Sequence, residues 1–121
     1  TATTIHGYRL LTRLFTDKDV NTVKRLAVQL QQQQGVLCLF GVLQAEKATL
    51  LFARSADVTV HMGNLLRDAL QAGGGKGGGR ADFAQGGGIA AAQGEALLAL
   101  SRTWLVPLLL PASSAEQASN G

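Results

Sequence analysis

The residues whose types and spacing suggest chemistry lie between Gly73 and Gly88, in the run GGGKGGGRADFAQGGG. Nine of these sixteen residues are glycine, and Lys76 and Arg80 stand four apart among them. Glycine permits positive φ and takes the side chain out of a contact. An ordered loop of this composition brings its backbone close to another strand or to a ligand. Successive N–H groups in such a loop form a hollow for an anion, and Lys76 and Arg80 beside it would meet phosphate. Two other readings compete. A P-loop needs Gly-x-x-x-x-Gly-Lys followed by Ser or Thr, but Gly77 follows Lys76 and Leu70 stands where the first glycine belongs. A flexible linker would leave Phe83 in water and would join the rest of the chain to one short helix. The ordered loop is the reading adopted. The residues alone leave open whether its backbone approaches a ligand or packs internally. Either way, valine at Gly78 or Gly79 is expected to harm folding or binding.

Other reactive side chains form no catalytic or metal-binding pattern. His6 and His61 have no ligand spacing, no Ser-His-Asp or Cys-His arrangement is supported, and no carboxylate pair is suggested. The single cysteine, Cys38, lies in an apolar run and is expected to pack there. Arg9 and Arg13 alternate with Leu11 and Phe15 on one strand face, where they flank a groove or line an exposed edge. Lys24 and Arg25 are expected to decorate a helix surface, and Phe83 to anchor the glycine run onto the fold.

The elements that must hold these residues can be read from periodicity. YRLLTRLF alternates as a strand. A helix follows, with Thr16 and Asp19 resembling a capping box and Val20, Val23, Ala27 and Leu30 forming an apolar stripe that Leu26 widens. Gly35 is expected to stop it. VLCLFGVL and ATLLFARS are apolar at nearly every position, as strands buried on both faces are, and the short QAEK link makes them an antiparallel hairpin. A second helix is expected from about Val60 to Gln71, with Met62, Leu66 and Leu70 on one face. A third runs from about Ala92 to Val106, with Leu97, Leu100 and Trp104 in register. The order β-α-β-β-α-(Gly-rich loop)-α predicts a mixed α/β fold, a small mixed sheet with helices packed on it.

The chain has 121 residues, the size of one domain, and 46% are hydrophobic, enough for a core. It opens on Thr1, and is expected to be a piece of a longer protein. Residues 1–110 are read as the domain and 111–121, small and polar, as a disordered tail. The apolar stretch ALLALSRTWLVPLLL is broken by Ser101, Arg102 and Pro107, so a buried helix is expected and no membrane partner. A net charge of +3 and a pI near 9.5 suit an acidic partner such as nucleic acid.

The run from Gly74 to Gly88, with HMGNLLRDALQA before it, resembles the DHH-associated family. That family comprises the C-terminal domain of alanyl-tRNA synthetases, certain phosphoesterases and free-standing editing proteins. The matching residues are Gly74-Gly75-Lys76, Gly77-Gly78-Gly79-Arg80, Asp82 to Gln85 and Gly86-Gly87-Gly88, with Trp104 downstream. Two positions depart from the usual pattern: Ala81 replaces a proline, and Phe83 a frequent methionine. Arg80 stands where the phosphoesterase branch carries histidine, which turns the resemblance toward the synthetases. It implies a non-catalytic domain that grips the outer corner of tRNA(Ala). Nucleic-acid contacts are expected at Lys76, Arg80, Gly77, Gly78, Gly79 and Gln85, with Arg9 and Arg13 as further candidates. The other domains of the parent would be partners. ATP and magnesium would serve the parent ligase and zinc its editing domain, with no cofactor in this chain. The alternative is a protein-interaction or dimerisation module, a homodimer included, with residual affinity for nucleic acid such as DNA. The basic balance and the looser motif favour the mitochondrial matrix, with the cytoplasm as the alternative.

Overall fold

A computed structural model describes residues 2–109, and the tail expected at 111–121 lies outside the described residues. Six strands and three helices follow one another as β1 (Ala2–Ile5), β2 (Tyr8–Phe15), α1 (Val20–Leu30), β3 (Val36–Gln44), β4 (Lys47–Arg54), α2 (Met62–Ala72), β5 (Lys76–Gly79), β6 (Phe83–Ala90) and α3 (Gly94–Leu105). The strands form one sheet in the order β1-β2-β3-β4-β6-β5. Only β2 and β3 are parallel, because α1 carries the chain back between them; every other pair is antiparallel.

The centre of the sheet is covered on both faces, as the unbroken apolar runs of β3 and β4 require. On one face Leu37, Leu39, Leu50 and Phe52 meet Leu66 and Leu70 of α2 and Leu98 of α3. On the other, Cys38, Phe40, Val42, Leu51 and Ala53 meet Val23 and Ala27 of α1. Phe15 closes that second layer edge-on against Phe40, ring centroids 5.3 Å apart. Burying each such side chain contributes roughly 1.5–3 kcal/mol.

The mixed sheet with packed helices agrees with the sequence reading, but several local expectations are corrected. A strand precedes YRLLTRLF: β1 folds onto β2 through His6 and Gly7, both at positive φ (52° and 86°), a two-residue turn that suits strand twist. The cap of α1 is Asp19 itself, whose carboxylate accepts from the Thr22 amide at 2.7 Å, not Thr16. This bond holds the Asp19 pKa below its ordinary value of 3.8. The helix ends at Leu30, five residues before Gly35. Leu26 sits 37% exposed at the margin of the stripe, so it does not join the core. The buried face of α3 is Leu97, Leu98, Ser101 and Leu105, which turns Trp104 toward solvent (37% exposed).

The largest correction is the glycine run, which is not a loop. It forms the hairpin β5–β6, with Gly77 opposite Gly86 and Gly78 opposite Gln85, and β6 pairs in turn with β4. Glycine is a poor strand former, so local propensity gives no hint of this. Packing explains it. A Cβ at Gly77 would stand 2.6 Å from the Leu70 Cδ1 and 2.5 Å from the Gly86 Cα. One at Gly86 would meet the same Leu70 atom at 2.5 Å. Bare backbone on this face lets α2 lie directly on the two strands.

Candidate nucleic-acid interface

The turn of the glycine hairpin, residues 80–82, is fixed from behind. The first two free amides of α2 point at it: Met62 N–H donates to the Ala81 carbonyl (2.7 Å) and Gly63 N–H to that of Arg80 (3.1 Å). Unsatisfied helix N-termini attract anions, but here chain carbonyls take that place. The Asp82 carbonyl accepts from the Arg54 amide (3.0 Å) and from the Gln31 side chain (2.8 Å), which also donates to the Arg54 carbonyl at 3.2 Å. Three elements therefore hold the turn by its carbonyls. The Arg80 amide donates to Phe83 O at 2.9 Å and closes the hairpin.

With its backbone so held, Arg80 presents its side chain outward, 80% exposed. Its Nε lies 3.5 Å from Asp82 Oδ1, whose side chain is 47% exposed. An exposed pair of this kind contributes about 0–1 kcal/mol and leaves other guanidinium N–H groups available. On α2, Asp68 lies 3.6 Å from its neighbour Arg67.

Strand alternation sorts the remaining candidates by face. Gly77 and Gly79 point toward α2 and the Ala84 side of the sheet. Lys76, Gly78, Gln85 and Gly87 point to the opposite face, the one that carries α1. There Lys76 and Gln85 are exposed, and a Cβ at Gly78 would meet nothing within 4 Å. The expectation for valine is thereby split. At Gly79 it would drive a Cβ to 2.6 Å from the Phe83 carbonyl oxygen, whereas Gly78 has room and no positive φ. Neither a hollow of successive amides nor a P-loop forms here; the hairpin is a flat strip of backbone with a cation at each end.

Arg9 and Arg13 lie on β2, four strand positions from β5, about 19 Å at the usual strand spacing. They share the α1 face but not the hairpin. Arg9 donates to the side-chain carbonyl of Gln33, and Arg13 stacks over Phe15, 4.9 Å from the ring centroid. Sequence reasoning missed two partners of the hairpin. Lys24 of α1 places its Nζ 5.9 Å from the Phe83 centroid, and Gln31 ties the end of α1 to the turn. Both contacts join residues more than fifty positions apart, and no local pattern reveals them. Phe83 itself packs half-buried against the α1-side core, as an anchor would.

Elsewhere, burial pushes the Cys38 thiol up to about 12, which leaves it unreactive. Among the described residues no group of three or more His, Cys, Asp or Glu could hold a metal ion. No helix there is long and apolar enough to cross a membrane.

Residues 7–106 match the family model of the DHHA1 domain. The chain is 38% identical over 84 residues to the alanine–tRNA ligase of Leptospira interrogans serovar copenhageni, covering 66% of this chain and 9% of that protein. It is 37% identical over 103 residues to the ligase of Pseudomonas fluorescens, covering 83% of this chain and 12% of the relative. The chain therefore spans about a tenth of the length of these curated relatives. Its fold is similar to that of the crystal structure of the C-Ala domain from Aquifex aeolicus alanyl-tRNA synthetase. The TM-score is 0.73 at 22% identity, over 83% of this chain and 93% of that one.

Proposed function

Because the chain belongs to the DHHA1 domain family, we propose that it is the tRNA-binding accessory domain of an alanine–tRNA ligase. In this reading it holds tRNA(Ala) by its outer corner, within reach of the aminoacylation and editing sites carried by other domains of the parent. Adenylation with ATP and magnesium, and any zinc-dependent editing, belong to those domains. The mitochondrial matrix is the proposed compartment, with the cytoplasm as the alternative.

The observation that carries this reading is the glycine hairpin. It presents Lys76 and Arg80 at the two ends of a bare strip, and its turn is locked by three other elements. Four residues of extended chain separate the two cations by about 13 Å, so each meets its own phosphate. The planar Arg80 fork can engage one with two hydrogen bonds, while Lys76 supplies a point charge and Gln85, opposite Gly78, a neutral donor and acceptor. Preformed geometry keeps the ordering cost of binding low.

Titration of the chain with a tRNA(Ala) transcript at several salt concentrations tests the proposal. Affinity should fall linearly on a log–log plot, by roughly 0.7–0.9 per phosphate neutralised. A flat salt profile, or no binding at low salt, would overturn it and leave a protein-interaction or dimerisation module.

A further inference from the structure

The charge of the chain is divided unequally between the two faces of its sheet. On the side of α1 and the hairpin lie Arg9 and Arg13 of β2, Lys18, Lys24 and Arg25 at α1, Lys47 of β4, and Lys76 and Arg80. These eight cations face three carboxylates, Asp17, Asp19 and Asp82. The α2/α3 side and the loop ends hold three cations, Arg54, Arg67 and Arg102, against four carboxylates, Glu46, Asp57, Asp68 and Glu95. The whole positive excess of the described residues is therefore on one face.

One of the α1 cations, Lys24, is also joined physically to the hairpin. Lys24 sits over Phe83, and Phe83 is three residues from Arg80 and two from Gln85 on the same strip. The Gln31 bond to the Asp82 carbonyl holds the end of α1 to the hairpin turn. Lys18 and Arg25 line one depression beside Phe15 at the far side of the helix. Asp19, kept ionised by the Thr22 amide at the helix start and near enough to Arg25 to feel its charge, offsets one cation of this group. The basic surface thus runs from the hairpin turn over Phe83 and onto α1.

We infer that this continuous face is one RNA-backbone surface, in which Lys18, Lys24 and Arg25 of the α1 region form a second limb beside Lys76 and Arg80. The inference rests on the tRNA reading above and extends it to residues the glycine motif does not contain. Its occupant is the phosphate backbone of a folded RNA, which needs several spaced cations and no base-specific pocket.

The test compares three variants of the chain by melting and by titration with a tRNA(Ala) transcript over a salt series. The α1 variant carries Lys18→Gln, Lys24→Gln and Arg25→Gln. The hairpin variant carries Lys76→Ala and Arg80→Ala. The control carries Arg67→Gln and Arg102→Gln on the opposite face. The α1 variant should melt near the parent chain but show a log–log salt slope shallower by roughly 2, from three lost phosphate contacts. The control should keep the slope. Unchanged binding in the α1 variant, with loss in the hairpin variant, would overturn the second limb and confine the surface to the glycine strip. Losses in proportion to the charge removed, three in the α1 variant and two in the control, would overturn it as well, since net charge alone would then govern binding. Binding untouched in both the α1 and hairpin variants would overturn the tRNA reading itself.

Discussion

Two antiparallel strand pairs of this sheet are held by opposite means. In β3–β4 nearly every position carries an apolar side chain, and both faces are filled: Phe52 and Leu39 on the α2/α3 side, Leu51 and Phe40 on the α1 side. In β6–β5 the facing positions Gly77 and Gly86 carry none, and α2 rests its Leu70 on bare backbone. The first pair is stabilised by the volume its side chains occupy. The second forms because nothing occupies the space. The difference also divides labour. A pair buried on both faces has no surface to offer a ligand, whereas the glycine pair is covered on one face and leaves a flat strip on the other.

The largest effect should come from emptying the first pair. Phe52→Ala removes a fully buried ring between Leu39 and Ala84 and should cost about 3–5 kcal/mol, read by denaturant unfolding. The second pair should fail in the reverse direction, when it is filled. Gly86→Val places a Cβ 2.5 Å from the Gly77 Cα and 2.6 Å from the Lys76 carbonyl oxygen. Both are backbone atoms that no rotamer change can move. The loss should reach the upper part of the roughly 1–3 kcal/mol typical of overpacking, with the amides of β5 losing exchange protection first. Uniform loss of protection across the sheet would break the comparison, because it would make the glycine pair as central to the core as β3–β4.

The same contrast decides what could be read in advance. The hairpin VLCLFGVL–ATLLFARS was legible because each residue states its own burial, and so were the buried faces of α1 and α2 around Val23, Ala27, Leu66 and Leu70. Trp104 misled, since its spacing from Leu97 fits a helix stripe that packing set slightly differently, through Leu98, Ser101 and Leu105. The strands β5 and β6 were illegible in composition, because a strand of glycine has no side-chain period to show. Their meaning lay in the close approach of α2, a tertiary fact. The cations were legible as candidates from their place in the motif. Lys24 was not, since its contact with Phe83 crosses most of the fold.

Removing the hairpin cations should leave stability nearly untouched while binding changes. Arg80→Ala breaks only the exposed contact with Asp82 and should cost less than about 1 kcal/mol. Lys76→Ala should cost less, since Gly87 opposite it offers no side chain. Each should make the tRNA salt slope shallower by about one contact, with the greater loss of affinity at Arg80, the two-pronged donor. A clear drop in melting temperature for Arg80→Ala, with affinity falling only in step, would move Arg80 from the RNA surface to the scaffold.

The smallest effect on folding is also the sharpest test of the bare strip. Gly78 has ordinary extended backbone and open space where its Cβ would stand, in contrast to Gly77, Gly79 and Gly86 around it. Alanine there costs no contact in the folded state and restricts the unfolded chain, so Gly78→Ala should stabilise by about 0.4–1 kcal/mol. The position lies on the α1 face directly across from Gln85 and two residues from Lys76. If RNA lies close on the strip, the new methyl separates it from the backbone and weakens binding even as the fold strengthens. A stabilised variant with lower tRNA affinity would mean that bareness serves the ligand on this face, as it serves α2 on the other. A stabilised variant with unchanged affinity would mean that only the long cations reach the RNA, and that glycine at this position has no role in binding. Destabilisation would mean that the α1 face of the hairpin is packed after all, and the division of its two faces would fall.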